Sequence, residues 1–359
     1  MGKKIIVNGS IIHEKPTGLG IYAINIIKEL SKDKNIEVYS PVDIDGVDIK
    51  KISKYVKPSY KKIGGLMRFL WTQFVLPFKG EKDDIIYHPF QYLSFFSRKK
   101  QIITIHDFIP IYYPNVAKHQ NIYYKYIMPV LIKRAYKIIC ISENTKKDLI
   151  SLYNVDVDKV KVIYNGYDEN LFNNKGINEE VIKKYKLNKP YMVMVGAGYS
   201  HKNLEVVIEA FKSLKEEKLE LVIVGGNSDY IVKLKELVKK YQLENIIFTG
   251  YVPDEDLKDL YGNSEAFLYP TLYEGFGLPI LEAQACGTAV ICSNNSSLPE
   301  VYGNSAISFN PEDVNSVKDA IKILIKDNEL RGKLIKEGYK NIKRFSWGKT
   351  ASEIKKIIE

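Results

Sequence analysis

The chain has 359 residues, of which 45% are hydrophobic and 12% aromatic, enough for two domains with separate cores and incompatible with a disordered or fibrous chain. Three scattered cysteines exclude a disulfide framework or a zinc site, and the longest apolar stretch, Leu66 to Phe78, is broken by Arg68, Thr72 and Gln73 and is too short to span a bilayer. The net charge of +10 is concentrated in residues 51–150, which hold 18 Lys and Arg against 6 Asp and Glu. That stretch is expected either to meet something anionic, such as a phospholipid surface, a pyrophosphate-bearing acceptor or nucleic acid, or simply to form a lysine-rich solvated face.

The opening MGKKIIVNGS lacks the long apolar region of a secretory signal, so a reducing cytoplasm is the expected compartment. Ile- and Val-rich runs then alternate with helical periodicity, the pattern of parallel sheets with crossover helices. Strands are expected at IIVNGS, IEVYS, DIIYHP, IITIHD, KIICIS and KVIYNG, and a second set at YMVMVGA, LELVIVGG, NIIFTGY, EAFLYPT, TAVICS and SAISFN. The Asn- and Gly-rich NGYDENLFNNKG between the sets marks a linker. The spacing predicts an α/β chain of two doubly wound, Rossmann-like domains, 1–168 and 169–343, facing across a cleft. A final helix, 344–359, begins near Trp347 with Ser346 as N-cap.

In such sheets ligands bind beyond the carboxyl ends of the strands. After the first strand, Pro16-Thr17-Gly18-Leu19-Gly20 opens a helix with glycines where a backbone can approach an anion, though it is not a full G-x-G-x-x-G. His88 and His106 stand at strand ends. Each can meet a sugar hydroxyl or a reacting oxygen, or merely tie down a loop. After MVMVG, Gly196 leads to Lys202, where a compact ammonium can neutralise a phosphate, and Asn203 is the expected N-cap of the next helix. Gly225 and Gly226 follow another strand as turn glycines, and Tyr251 and Val252 offer backbone groups to a nucleobase edge.

The most informative segment is Glu274-Gly-Phe-Gly-Leu-Pro-Ile-Leu-Glu282. Gly275 and Gly277 clear side chains from a helix start, so that the amides of Gly275, Phe276, Gly277 and Leu278 can hold an oxyanion, with Pro279 as the first helical residue. Glu274 and Glu282 flank that position and can each accept from a sugar or ribose diol; a dipole-complementing Glu282 beside a solvated Glu274 is the structural alternative. The acid pairs Asp43/Asp45, Asp156/Asp158 and Asp254/Asp256 read as turn or cap acids, and no metal is expected.

TGLGIY, TIHD, CISENTKKDL, VIYNGYD, VGAGYSHKNL, FTGYVPDEDL and YEGFGLPILEAQACGTAVICSN together resemble the retaining family-4 glycosyltransferases of the GT-B fold, over nearly the whole chain. The resemblance implies that Glu274 contacts the donor sugar, Glu282 the ribose and Lys202 the diphosphate, with His106 beside the reaction centre. It also implies metal-independent transfer with retention, a C-terminal helix that crosses back to the first domain, and no cofactor. The expected partners are a nucleotide-sugar donor and a saccharide or lipid-linked acceptor, with mannose or a related hexose in surface polysaccharide assembly as the first expectation. The second domain would take the donor and the first the acceptor, and closure would assemble the site. Family members commonly carry an arginine near this lysine; here His201 is adjacent, and His201 or Lys146 is the expected second cation.

The two basic segments KKIGGLMRFLWTQFVLPFKG and KHQNIYYKYIMPVLIKRAYK interleave cations with aromatic and aliphatic residues. They suit either peripheral contact with an anionic membrane, at its cytoplasmic face, or packing of the apolar residues against the sheet. Two other functions share part of the pattern. A GT-B sugar-nucleotide epimerase would form product without an acceptor, and a nucleic-acid-binding protein would explain the basic stretch but not the glutamates, so no nucleic acid is expected.

Overall fold

Ile and Val runs buried on both faces form strands that pair exclusively in parallel among the residues described by this computed structural model, 3–187, 190–214 and 217–358. Contacts divide the chain into two compact units, Met1–Gly166 with Trp347–Glu359, and Tyr167–Ser346.

The first unit holds β1 (Ile5–Asn8), β2 (Ile36–Ser40), β3 (Ile49–Lys51), β4 (Ile85–His88), β5 (Lys100–Ile105), β6 (Lys137–Cys140) and β7 (Val160–Val162), in the order β3-β2-β1-β4-β5-β6-β7. The second holds β8 (Tyr191–Val195), β9 (Glu220–Val224), β10 (Ile246–Gly250), β11 (Ala266–Tyr269), β12 (Val290–Ser293) and β13 (Ala306–Phe309), in the order β10-β9-β8-β11-β12-β13. Both are doubly wound Rossmann-like sheets. In each, the winding reverses between neighbouring strands, β1/β4 and β8/β11, and there the loops part to leave a crevice. The expected strands all form; β3 is an addition. It is a half-exposed edge strand whose single apolar residue, Ile49, left no alternation to read.

The C-terminal helix Trp347–Ile358 packs within the first unit beside the helix Gly18–Leu30. Trp347 meets Tyr22 edge-on at 5.8 Å, Thr350 Oγ1 donates to the Tyr164 carbonyl at 2.7 Å, and Lys355 pairs with Asp33 at 2.7 Å.

One helix reverses the usual distribution. Lys61–Phe74 buries Arg68, Thr72 and Gln73 together with Trp71, while Ile63, Leu66, Met67, Leu70 and Phe74 are exposed. Backbone groups receive two of the buried polar side chains: Arg68 Nη1 donates to the Val56 carbonyl at 2.8 Å, and Gln73 donates to the Leu93 carbonyl and accepts from the Phe95 amide, both at 2.7 Å. Packing of these apolar residues against the sheet, one of the two readings of this segment, is therefore corrected.

Candidate functional site

The loops after β8 and β11 leave adjacent strands on either side of the second unit's winding reversal. Three hydrogen bonds join them, and a fourth ties the first loop to the loop after β13. Thr271 Oγ1 and the Leu272 amide both donate to the His201 carbonyl, at 3.1 and 2.8 Å, while Asn203 Nδ2 donates to the carbonyls of Pro270 at 3.2 Å and Pro311 at 2.7 Å. Asn203 stands at the N-cap of the helix Leu204–Phe211 in the left-handed region, φ 55°, and its side chain makes no cap. Asn203 therefore holds the N-cap position expected of it, but its side-chain amide ties loops together instead of capping.

This stitching brings Lys202 to Glu274. Lys202 Nζ donates to Glu274 Oε1 at 2.6 Å and to the Tyr269 hydroxyl at 3.1 Å, two of the three donors an ammonium carries. Both side chains are mostly buried, 15% and 11% exposed. Gly196 permits the arrangement: its φ of 77° turns the chain at the end of β8, and a Cβ there would sit 3.6 Å from Lys202 Cε. Burial alone would raise the Glu274 carboxyl, but the Lys202 charge and hydrogen bonds from Lys202 and Tyr269 hold it below its ordinary value. The result is a fixed carboxylate with an ammonium beside it.

Two serines missed in the sequence hold the glutamate's backbone. The Glu274 amide donates to Ser296 Oγ at 3.0 Å, Ser296 Oγ donates to the Glu274 carbonyl at 2.6 Å, and Ser297 Oγ reaches the Glu274 and Phe276 carbonyls at 2.9 and 3.0 Å. Ser296 adopts φ 55°, a conformation an L residue enters only when surroundings enforce it. Gly277 caps the helix Leu278–Ala285 at φ 106°, and a Cβ there would lie 2.7 Å from Leu298 Cδ2, so glycine is required for packing as well as conformation. The helix opens at Leu278, with Pro279 second. Phe276 anchors the loop edge-on against Phe345 at 5.7 Å, and Gly275 is buried beside it.

Glu282 is in different company. It is half-buried, and burial followed by the charges of Asp254 and Asp168 pushes its carboxyl up to about 8. Asp254, raised by burial, Glu255 and Asp168, opens the helix Asp254–Gly262 just after Val252, which is buried, while Tyr251 is 79% exposed. Linker, post-β10 loop and Glu282 thus converge through Asp168, a residue the sequence reading passed over. Gly225 approaches Ala197, where a Cβ would lie 3.0 Å from its Cβ, so it serves packing.

His201 does not supply the second cation. It is buried, stacks on Tyr199 at 5.8 Å, and burial lowers it to about 4, so it is neutral near pH 7. Lys146, the other substitute, is on the helix Glu143–Tyr153 of the first unit.

In the first unit, His106 is buried, donates Nε2–H to the Pro89 carbonyl at 2.9 Å, meets Tyr22 edge-on at 4.6 Å, and is lowered by burial to about 4. His88 is fully buried: Asn8 Nδ2 donates to its Nδ1 at 3.1 Å, and its Nε2–H donates to Gln101 Oε1 at 3.1 Å, which makes it a structural histidine. Gly18 and Gly20 form the first turn of the helix Gly18–Leu30. Thr17, its N-cap, makes no side-chain cap, Gly18 has open space about its Cα, and a Cβ on Gly20 would press on Pro16 at 2.9 Å. Among the described residues no group of three or more His, Cys, Asp or Glu side chains is placed to hold a metal ion. Asp43 pairs with Lys51 at 2.7 Å and Asp156 caps a turn at the Asp158 amide.

Two parallel Rossmann-like units, with an ammonium–carboxylate pair beside a glycine-rich helix start at a sheet crevice, define a GT-B glycosyltransferase. The chain belongs to the glycosyltransferases: the family described as Glycosyl transferases group 1 matches residues 177–341, the family described as Glycosyltransferase Family 4 matches residues 16–171, and the chain is 30% identical to the glycosyltransferase MJ1069 of Methanocaldococcus jannaschii over 74% of this chain and 69% of that relative. It is 29% identical to the O-antigen chain mannosyltransferase B of Escherichia coli over 96% of each chain. It is 35% identical to the O-antigen chain mannosyltransferase RfbU of Salmonella typhimurium over 62% of this chain, a match that spans only 60% of that relative's length. The solved structure of Anabaena Alr3699/HepE in complex with UDP and glucose shares the fold, at a TM-score of 0.76 over 99% of each chain with 19% identity. No helix among the described residues is long and apolar enough to cross a membrane.

Proposed function

We propose that the chain transfers a hexosyl group, mannosyl as the first candidate, from a nucleotide-diphosphate sugar to the hydroxyl of a saccharide or lipid-linked acceptor in surface polysaccharide assembly. Transfer is with retention at the anomeric carbon and without a metal, on the cytoplasmic side of the membrane. The observation that carries this reading is the Lys202–Glu274 pair beside the Gly275–Leu278 helix start. The mannosyl preference is supported by the names of the two enterobacterial relatives.

In this reading the donor diphosphate lies at the helix amides with Lys202, whose charge stabilises the leaving oxygen as the glycosidic bond breaks. Glu274, held as a carboxylate, accepts from hydroxyls of the transferred sugar. Glu282 accepts from the ribose diol, and Val252 offers its backbone to the base edge. The acceptor oxygen attacks the face the diphosphate leaves, and its proton passes to the departing phosphate. His106 lies in the other unit; its neutral ring is suited to hydrogen bonding a sugar oxygen and not to carrying a charge.

The test is a thermal-shift panel of guanosine-, uridine- and thymidine-diphosphate hexoses, followed by product analysis with and without acceptor in the presence of EDTA. Stabilisation by one donor and acceptor-dependent product with the donor's anomeric configuration are expected. An epimer formed without acceptor, or no stabilisation by any donor, would sink the proposal.

A further inference from the structure

A cavity of about 450 Å³ opens at the carboxyl ends of β1, β2 and β3 in the first unit, within the roughly 300–1,000 Å³ range of small-molecule sites. The loop after β1 supplies Ile12 and Glu14, the turn after β2 supplies Pro41 and Asp43, and β3 ends on Lys51. Ile12 and Pro41 are buried and give the cavity an apolar floor.

The rest of the wall is charged in matched pairs. Lys57 Nζ donates to Glu14 Oε1, and Lys51 pairs with Asp43 at 2.7 Å. The first pair is the better fixed, because the Lys57 side chain is only 13% exposed and its hydrogen bond holds the Glu14 carboxyl below its ordinary value. Among the described lining residues His13 is the only other titratable group. Two carboxylates against two ammoniums leave this cavity without the positive excess that residues 51–150 carry as a whole.

That balance selects the ligand. A carboxylate accepts from two adjacent hydroxyls and an ammonium donates up to three hydrogen bonds, so each pair offers both halves of what a sugar diol needs. The apolar floor suits the C–H face of a pyranose ring. A phosphate would meet Glu14 and Asp43 as well as the lysines, and the two acids would repel it.

We propose that this cavity receives the acceptor as an uncharged saccharide chain end, held by the Glu14–Lys57 pair over the Ile12–Pro41 floor. The proposal rests on the transferase reading above and narrows its acceptor to a chain that already carries sugar, which an earlier glycosyl transfer must supply.

Ligand-observed NMR on the full chain tests it, with methyl glycosides of mannose, glucose, galactose, rhamnose and N-acetylglucosamine, a methyl mannobioside, and inorganic pyrophosphate as the anionic probe. At least one glycoside should bind at millimolar concentration, and pyrophosphate should not displace it. Glu14→Gln/Lys57→Met should weaken that binding about tenfold and raise the acceptor KM by a similar factor, with thermal stabilisation by the donor unchanged. Asp43→Asn/Lys51→Met, at the more exposed pair, should weaken it about threefold. Glu14→Lys/Lys57→Glu rebuilds the ion pair with donor and acceptor exchanged, so it should keep the parent's melting temperature and still not regain binding. Binding of no glycoside, displacement by pyrophosphate, or undiminished binding by either Glu14/Lys57 variant overturns the proposal. Saccharide binding lost in those variants, in a chain that no nucleotide sugar stabilises, would strike the transferase reading and leave the cavity a saccharide site.

Discussion

The two units solve one topological problem with opposite chemistry. Each sheet reverses its winding between two neighbouring strands, and in each a pair of side chains bridges the reversal. In the first unit it is Asn8 on β1 with His88 on β4, a neutral amide on a neutral imidazole, fully buried and continued by Gln101. In the second it is Lys202 after β8 with Glu274 after β11, an ion pair in loops beyond the strand ends. The neutral bridge has its capacity consumed by protein partners, while the ionic one keeps full charges on groups that a substrate can recruit. Position in a doubly wound sheet marks where a site can form, and the residue types decide whether one does.

The sharpest way to break this comparison is to remove the cation. Lys202→Met should lower the transfer rate by roughly 100- to 1000-fold, the usual cost of one donor to developing oxyanion charge. It should also cost roughly 3 kcal/mol of stability, because Glu274 is left charged and buried. Lys202→Met/Glu274→Gln should regain most of that stability and none of the activity. Chemical denaturation alongside initial rates would show it, and activity recovered by the double variant would assign the pair a purely structural role.

The neutral bridge should behave in the reverse manner. His88→Ala leaves Asn8 and Gln101 without partners and opens a cavity, so a loss of roughly 2–3 kcal/mol is expected with donor affinity unchanged. The folded His88 ring resists protonation down to about 3, whereas an unfolded histidine accepts its proton near 6.5. Stability contributed by this group is therefore complete above about 6.5 and lost as pH falls towards about 3. A melt series across that range should show a shallower acid slope in His88→Phe than in the parent.

Glu282 has the opposite sign. Its carboxyl stays protonated in the fold up to about 8 but ionises near 4.5 when unfolded, so its contribution is full below about 4.5 and disappears as pH rises through about 8. Glu282→Gln should flatten that alkaline decline. If the ribose diol donates to this carboxylate, the variant should also bind nucleotide about tenfold more weakly, and the parent should release a proton on binding near pH 7. Calorimetry in buffers of different ionisation heat measures that proton, and proton-neutral binding would place the ribose elsewhere.

The legible part of the molecule was that written in local chemistry. Ile- and Val-rich runs announced twelve of the strands, and Gly196 and Gly277 announced the turns because a left-handed backbone demands glycine. Lys202 and Glu274 could be named from strand ends and a helix start, yet their direct ion pair could not, since it depends on Asn203 and Thr271 stitching loops some 70 positions apart. The helix Lys61–Phe74 shows a second limit. Periodicity revealed an apolar face but not its direction, which was decided by the carbonyls of Val56 and Leu93 receiving Arg68 and Gln73. Asp168 was invisible for the same reason, as its effect on Glu282 exists only once the linker folds back.

The serines that hold Glu274 offer the finest test, because they touch only its backbone. Ser297→Ala deletes the one hydroxyl donor that the carbonyls of Glu274 and Phe276 share and leaves the Lys202–Glu274 pair in place. A stability loss of roughly 1 kcal/mol is expected, with a fall in rate of only a few fold that appears in kcat more than in KM. Ser296 sits at φ 55°, so Ser296→Gly relieves backbone strain while removing two hydrogen bonds, and these effects should nearly cancel in stability. If catalysis relies on a preorganised carboxylate, Ser296→Gly should be the slower enzyme although it is the more stable of the two variants; equal rates would mean that the ion pair alone fixes Glu274.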